Sequence, residues 1–165
     1  MTKETSKNFR SIPCDVLPDH VVGLVEALYS LGGSVDPMYV GDITSESVDV
    51  LPKAIDAAET LNLLRYESGC LRITELGRKV AEANAKKLKK ILREIVLSNK
   101  IEPFYEVYTR LKEKRTMPVE EFKSIVGKYH RRISKDIIRN VLVWGAYLEL
   151  FKMSEDDSQI VLIRD

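Results

Sequence analysis

The stretch that decides the fold of this chain reads Leu63-Leu64-Arg65-Tyr66-Glu67-Ser68-Gly69-Cys70-Leu71-Arg72-Ile73-Thr74. Two short extended runs flank Ser68-Gly69, and such a dipeptide between two runs predicts the turn of a β-hairpin. Thr74 predicts the start of a helix, because its hydroxyl can accept a hydrogen bond from an otherwise unpaired amide of the first helical turn. The stretch therefore predicts a hairpin that leads directly into a helix.

Apolar residues continue at helical spacing after Thr74 and predict a long amphipathic helix that reaches Asn99. The apolar face comprises Leu76, Val80, Ala83, Leu88, Ile91, Leu92 and Ile95. Without a break, this helix would have about 26 residues and a length of about 39 Å. A candidate basic face of the same helix comprises Lys86, Lys87, Lys89, Lys90 and Arg93. These cations could contact an acidic partner or a nucleic-acid backbone, or they could simply be solvated.

Three further helices are predicted ahead of the hairpin. Their starts are Pro18, Asp36-Pro37 and Ser45 or Ser47, and their ends are Gly32-Gly33, Gly41 and Leu61. Proline is favoured in the first turn of a helix and glycine just after the last turn, which sets these limits. Three helices followed by a hairpin is the order of a winged helix-turn-helix unit.

The second half of the chain repeats this order of elements without repeating the residues. Predicted helices begin at Pro103, Pro118 and Ser134, the last ends at Trp144-Gly145, and a hairpin of residues 148–153 and 159–163 follows. We expect a mainly α protein with small β-hairpins, made of tandem winged helix-turn-helix units that a long central helix joins. The expected segments are a flexible N-terminal arm over 1–16, a first unit over 17–83, a linking helix over 84–99 that continues the last helix of the first unit, and a second unit over 100–165.

Composition limits the classes of protein to consider. The 165 residues, 44% of them hydrophobic, are enough for one domain or two small ones. No apolar run approaches the roughly 18 residues of a membrane span, and the N-terminus has no apolar signal core, so a cytoplasmic location without membrane insertion is expected. Cys14 and Cys70 stand far apart and outside any paired-cysteine motif, which favours buried thiols over zinc or redox chemistry.

Charge is distributed unevenly along the chain, although the net charge is only +1. Residues 11–83 carry 5 Lys/Arg against 12 Asp/Glu, whereas residues 84–147 carry 16 against 7. This asymmetry suggests a basic surface that meets an anionic partner, or contact between two copies of the chain.

The third helix of each predicted unit bears on DNA binding, because this element enters the major groove in DNA-binding winged helices. In the first unit that helix presents Asp49, Asp56 and Glu59 against Lys53, and phosphates would repel it. In the second unit the candidate contacts for DNA or a partner are Arg131, Arg132, Lys135, Arg139 and Asn140. Arginine and lysine could hold phosphate or guanine and asparagine could pair with adenine, although Asp136 in the same stripe favours a merely solvated face.

Motifs for catalysis are absent from the sequence. Neither a phosphate-binding loop nor a dinucleotide-binding glycine turn is found, and no catalytic residue, metal ligand or cofactor is expected. His20, His130 and Cys70 are more typical of packing or surface positions than of bases or nucleophiles. Phe104, Tyr105, Tyr108 and Trp144 could form a stacking platform, but their helical spacing favours a core.

Three stretches of the chain resemble the AAA-associated domain family. They are Val50-Leu51-Pro52-Lys53-Ala54-Ile55-Asp56-Ala57-Ala58-Glu59-Thr60-Leu61-Asn62-Leu63-Leu64, Ile73-Thr74-Glu75-Leu76-Gly77-Arg78, and Trp144-Gly145-Ala146-Tyr147-Leu148-Glu149-Leu150-Phe151. The last stretch is the most specific. Members of this family follow the ATPase core in nitrate/sulfonate-type ABC transporter ATP-binding proteins and also occur detached in archaea and bacteria.

The resemblance implies a non-catalytic accessory or regulatory module that binds a protein, with an ABC-type ATPase supplied by a separate polypeptide as the expected partner. The alternative left open by the residues is a transcriptional regulator that binds double-stranded DNA through the basic second unit. A homodimer is compatible with the opposed charges of the two halves.

Overall fold

The computed structural model describes residues 10–39 and 49–165, and these residues are mainly helical with small sheets. The helices among them are α1 Pro18–Ser30, α2 Leu51–Thr60, α3 Glu75–Glu82, α4 Ala85–Ser98, α5 Phe104–Lys114, α6 Val119–Tyr129 and α7 Lys135–Tyr147. The strands are β1 Arg10–Ser11, β2 Ser34–Val35, β3 Leu64–Glu67, β4 Cys70–Ile73, β5 Ile101–Glu102, β6 Thr116–Pro118, β7 Phe151–Met153 and β8 Gln159–Leu162. One 3₁₀ turn covers Pro37–Tyr39.

The chain divides into two compact units. The N-terminal unit comprises residues 15–91, and the C-terminal unit comprises residues 92–165 together with the segment that ends at Cys14. The division falls inside α4, between Ile91 and Leu92.

In the N-terminal unit, α1 packs against α2 and α3 over a small antiparallel sheet. The predicted hairpin is confirmed: β3 and β4 pair with Leu64 opposite Ile73, and the turn places Ser68 and Gly69 at φ values of 55° and 81°. Strand β4 lies in the middle of the sheet because β2 pairs with its other edge. This third strand has only two residues, and no pattern in the sequence predicted it.

The C-terminal unit also combines helices with a three-stranded antiparallel sheet. After α5 comes the short strand β6, then α6, α7 and the hairpin of β7 and β8, with β8 in the middle of the sheet. The large side chains of this core are fully buried: Trp144, Phe104, Phe122 and Phe151. The aromatic rings contact one another, with centroids of Phe104 and Trp144 at 6.1 Å. The prediction that the aromatic residues form a core is therefore confirmed for Phe104, Tyr108 and Trp144, whereas Tyr105 is half-buried.

The caps that the sequence predicts at Thr74 and Ser134 are confirmed. Thr74 Oγ1 accepts a hydrogen bond from the Gly77 amide at 2.9 Å, and Ser134 Oγ accepts one from the Ile137 amide at 3.1 Å. Each hydroxyl satisfies an amide that has no partner within the helix. The predicted limits at Gly41, Ser45 and Ser47 lie outside the described residues.

The long helix predicted from Thr74 to Asn99 is not continuous, which corrects the expectation of one linking helix. Ala83 ends α3 in an extended conformation with ψ of 149°. The Asn84 side-chain oxygen then accepts a hydrogen bond from the Lys87 amide at 2.8 Å. Because asparagine favours an N-cap over a helix interior, Asn84 starts a second helix where the apolar spacing alone predicted continuation.

The predicted flexible arm needs a second correction over residues 10–16, while residues 1–9 lie outside the described part of the chain. Strand β1 pairs in parallel with β5. Ile12, Cys14 and Val16 are 1%, 1% and 0% exposed. Every second residue of this segment is therefore buried, as in a strand, and apolar burial holds it in place.

One corner repeats in the two units at the level of residues. Leu61-Asn62-Leu63-Leu64 ends α2 and Leu148-Glu149-Leu150-Phe151 ends α7. Asn62 and Glu149 both have positive φ, 63° and 58°. In each corner an amide bonds the carbonyl five residues earlier, Leu63 to Ala58 at 2.9 Å and Leu150 to Gly145 at 2.8 Å. These bonds close the helix end before the hairpin begins. The two corners thus share both a residue pattern and a backbone geometry.

Candidate functional site

Helix α7 carries the residues that the sequence singled out as contacts for DNA or a partner. Arg131, Arg132, Lys135 and Arg139 are exposed at or just before its N-terminal end. Asn140 is half-buried, and its side-chain amide donates a 2.8 Å hydrogen bond to the carbonyl of Cys14. The structure brings the four cations to one end of the helix, whereas Asn140 already serves a contact within the chain.

Arg139 forms an ion pair with Asp136 at 2.9 Å. The two side chains are 68% and 75% exposed, so water weakens their attraction. Such a pair contributes little to stability and can exchange for a contact with another molecule. Arg139 thus remains a candidate contact, although its nearest charge is a carboxylate of its own helix.

A groove of about 380 Å³ lies beside the N-terminal half of α7 in the C-terminal unit. Its lining consists of Lys123 of α6 together with Ile133, Ser134, Lys135, Ile138, Arg139 and Leu142. The side chains of Ile133, Ile138 and Leu142 make it apolar, and three cations border it. We call this feature the α6–α7 groove. Of its residues the sequence had predicted only Lys135 and Arg139.

Ile133 is the unusual member of the groove. It is an isoleucine that is 41% exposed, and it lies in the connection between α6 and α7. A Cβ atom placed on Gly127 would lie 3.4 Å from Cδ1 of Ile133, so the Ile133 side chain rests beside a position of α6 that has no side chain. A single apolar residue between Arg132 and Ser134 is the signal in the sequence that could have pointed to this groove.

The candidate basic helix face divides into two kinds of residue. Lys86, Lys87 and Lys90 are exposed and Lys89 is half-buried. Arg93, in contrast, is 7% exposed. It follows Leu92 along α4, at the border of the apolar stripe, and both residues belong to the C-terminal unit.

The guanidinium of Arg93 forms its contacts within the C-terminal unit. It donates to the carbonyls of Glu149 at 2.8 Å and Arg164 at 3.1 Å, and its carbon lies 5.6 Å from the centre of the Tyr108 ring. The expectation that Arg93 belongs to an exposed basic face is therefore corrected. A guanidinium at the edge of a core can satisfy several carbonyls at once, which a solvated lysine does not do.

A charged network joins α5 and α6 in the C-terminal unit. The Glu106 carboxylate accepts hydrogen bonds from Arg110 and Tyr129, both at 2.6 Å, and from Lys128. Burial raises the pKa of Glu106, but the bonds from Lys128 and Tyr129 outweigh it and leave the pKa below its ordinary value. The network is satisfied by its own members and holds two helices together.

Glu102 lies at the edge of this network and is 9% exposed. Its Oε1 accepts a 2.9 Å hydrogen bond from the Glu106 amide. Burial, above all, raises the pKa of Glu102 above its ordinary value. A buried acid beside a cationic network is common in structural clusters as well as in active sites. The hydrogen-bond partner of the Glu102 carboxylate is a backbone amide and not a nucleophile.

The groups with catalytic potential serve local structure. The amide of Leu17 donates to His20 Nδ1 at 3.0 Å, and the Cys14 thiol contacts the Ile12 carbonyl at 3.7 Å. The side chain of Cys14 is buried and that of Cys70 is half-buried. Within residues 10–39 and 49–165, no cluster of three or more His, Cys, Asp or Glu residues is arranged to hold a metal ion.

In the described parts of the chain, no helix combines the length and the apolar character that a membrane crossing requires.

The stretch from Trp144 to Phe151 has a structural explanation. Trp144 packs on Phe104, and a Cβ atom on Gly145 would lie 2.3 Å from a ring carbon of Phe151. Glu149 turns the chain at positive φ, so that Phe151 can return against the helix it has just left. This motif therefore builds the core and the corner of the C-terminal unit.

The geometry defines a small helical domain of two units with an open groove on one of them. Residues 38–154 match the family described as the C-terminal AAA-associated domain, and the chain belongs to that family. It is a family of accessory domains and not a catalytic one. Comparisons with curated proteins and with solved structures found no match.

Proposed function

We propose that the chain is a non-enzymatic accessory or regulatory module that acts by binding a protein, and that its partner is an ABC-type ATPase. Membership of the C-terminal AAA-associated domain family supports the accessory role. The α6–α7 groove supports a protein partner, because an apolar floor with an exposed isoleucine suits a protein surface better than a sugar-phosphate backbone.

As part of this proposal, we assign both units to the winged helix-turn-helix class. In each, a short strand follows the first helix and pairs with the last strand of a terminal hairpin, so that the last strand lies in the middle. In each, a helix precedes that hairpin: α2 in one unit and α7 in the other. This arrangement supports the assignment, and it makes α2 and α7 the equivalents of recognition helices.

The N-terminal unit contributes to the choice of partner through α2 and the residue before its cap. Asp49, Asp56 and Glu59 are exposed there, and the nearby Lys53 forms an ion pair with Asp15. Phosphates would be repelled from this face. An acidic helix in one unit and an apolar groove in the other favour protein contacts for both.

Co-purification tests the proposal. A tagged full-length chain, expressed in its native cells, should recover an ABC-type ATPase in fixed stoichiometry at physiological salt. The purified pair should then re-form from its components. Repeated recovery of the chain alone, or of proteins without fixed stoichiometry, would contradict the proposal.

The second candidate is a regulator that binds double-stranded DNA. The observation that favours it is the cluster of exposed Arg131, Arg132, Lys135 and Arg139 at the start of the helix equivalent to a recognition helix. It requires duplex affinity that falls steeply as salt rises and that is lost in Lys135→Glu and Arg139→Glu. Fluorescence anisotropy with a labelled duplex measures both properties.

A further inference from the structure

We infer that the α6–α7 groove binds one amphipathic helix of a partner protein, and that the helix carries acidic residues beside its apolar stripe. This inference rests on the proposed function and specifies the surface and the chemistry of the contact. Three features of the groove support it: the apolar floor, the cationic border and the side that faces solvent.

The floor supplies the apolar contact. Ile138 and Leu142 lie one turn apart on α7 and are half-buried, and Ile133 adds a side chain that is 41% exposed. A groove lined by apolar side chains that includes a partly exposed isoleucine is unfavourable in water and is typical of an interaction surface.

The border supplies the charge. Lys123, Lys135 and Arg139 line the groove, and none of its seven lining residues is acidic. The nearest carboxylates are those of Asp136, which pairs with Arg139 at 2.9 Å, and Glu120, which lies 3.8 Å from Lys123. Both pairs are exposed and weak, so carboxylates from a partner can compete for the cations.

The shape selects a helix as the occupant. Small ligands are usually enclosed over most of their surface, whereas this groove is partly open to solvent. Helices bind such grooves by placing residues i, i+3 or i+4, and i+7 on the apolar floor. Glutamate or aspartate on either side of that stripe would then face the cationic border.

A synthetic helix tests the inference directly. The probe is a 14-residue acetylated and amidated peptide with leucine at i, i+4 and i+7, glutamate beside the leucines and alanine elsewhere. Titrated into the ¹⁵N-labelled full-length chain, it should shift the amide signals of residues 133–142 and of Lys123. A peptide with lysine in place of glutamate should not bind.

Variants of the chain separate the contributions of the floor and the border. Ile133→Glu should weaken binding of the probe at least about tenfold, because it removes an apolar contact with the leucines and places a carboxylate beside the glutamates of the probe. Lys135→Glu should weaken it by about threefold to tenfold, and the loss should shrink as salt screens the charges. The matched controls are Lys114→Glu, at an exposed lysine of α5, and Tyr66→Glu, at an exposed residue of the N-terminal unit. Both should leave binding unchanged.

The outcomes distinguish this inference from the proposed function. Four results would each overturn the helix assignment. With the peptides, they are shifts confined to other residues and equal binding of the lysine peptide. The other two are displacement of the probe by decanoate, which would indicate a small-ligand site, and a dimer in sedimentation whose second copy covers the groove. If the ATPase still binds Ile133→Glu as tightly as wild type, the groove is not the contact, while the proposed function stands. If wild type does not bind the ATPase at all, the proposed function fails. Near-identical Trp144 emission in wild type and variants verifies folding.

Discussion

The buried guanidinium of Arg93 donates a hydrogen bond of 2.8 Å to the backbone carbonyl of Glu149, the residue that turns the chain at positive φ between α7 and β7. A second bond, to the carbonyl of Arg164, ties the C-terminal end of the chain to the same side chain. One arginine of α4 therefore fixes the corner of the Trp144–Phe151 motif, and the stability of that corner depends on a residue more than fifty positions away in sequence.

Replacing Arg93 should destabilise the C-terminal unit. Arg93→Met keeps an unbranched apolar side chain but leaves two carbonyls without their donors, for an expected loss of about 2–3 kcal/mol in the free energy of unfolding. Urea denaturation followed by the fluorescence of Trp144, the single tryptophan and a buried one, measures the loss. Lys90→Met, at an exposed position of the same helix, should change stability by less than about 0.5 kcal/mol. Equal effects of both substitutions would contradict the role assigned to Arg93.

Gly145 should not tolerate a methyl group. In Gly145→Ala the new Cβ would lie 2.3 Å from the ring of Phe151, and the packed ring cannot withdraw without disturbing Phe104 and Phe122. We expect a loss of about 1–3 kcal/mol. Gly127→Ala is the matched control in α6, where the nearest atom would lie at 3.4 Å, and helix propensity predicts a gain of up to about 1 kcal/mol. A neutral Gly145→Ala would show that the corner is not closely packed.

Glu102 and Glu106 should give opposite pH dependences. Burial raises the pKa of Glu102 above 4.5, so the folded chain binds its proton more tightly than the unfolded chain does. Wild-type stability therefore falls as pH rises from about 4.5 through the raised pKa. Glu102→Gln cannot ionise, so its stability relative to wild type should be higher at pH 7 than at pH 4. The reverse trend in urea denaturation would contradict this sign.

For Glu106 the folded pKa lies below 4.5, because the bonds from Lys128 and Tyr129 outweigh the effect of burial. The carboxylate therefore stabilises the fold above the unfolded pKa, and this contribution disappears as pH falls through the folded pKa. Glu106→Gln should be less stable than wild type by about 1–3 kcal/mol at pH 7, and the difference should shrink toward pH 3. If the difference in free energy of unfolding between Glu106→Gln and wild type does not vary with pH, the substitution acts through packing and not through the charge of Glu106.

Asn140 should stabilise the contact between α7 and the segment that ends at Cys14. Asn140→Ala removes the 2.8 Å bond to the Cys14 carbonyl, and the expected cost is about 1 kcal/mol. Backbone amides of residues 10–14 should exchange faster with solvent, whereas Lys135→Ala, at an exposed position, should leave them unchanged. Under the DNA-binding alternative the main effect of Asn140→Ala would instead be weaker duplex binding without faster exchange.

Local signals in the sequence predicted the parts of the fold that local chemistry determines. The Ser68-Gly69 turn and the caps at Thr74 and Ser134 are confirmed because each depends on residues within a few positions. Strands β2 and β6 were missed, since two or three residues show no periodicity and depend on pairing with a distant hairpin. The break at Asn84 carried a signal, an asparagine able to cap, but the apolar spacing on both sides concealed it.

The candidate site was predicted less well for a similar reason. Lys135 and Arg139 were identified from charge on one helix, which the sequence shows. Lys123 and Ile133 line the groove only because of the way α6 and α7 pack, and the sequence does not show that packing. Arg93 was misassigned because a cation at the border of an apolar stripe has the same spacing whether it points to solvent or to backbone carbonyls.

Hydrogen exchange of the chain, measured with and without a purified ABC-type ATPase, decides whether the chain binds this class of protein. We expect the ATPase to slow exchange in α7 and in the segment from Lys123 to Ser134. We expect Ile133→Glu to abolish this protection and Tyr66→Glu to leave it unchanged. With ATPase at up to about 100 µM, a specific contact stronger than about 5 kcal/mol is detected. Absence of any protection at these concentrations would contradict the claim that the chain acts by binding this class of protein.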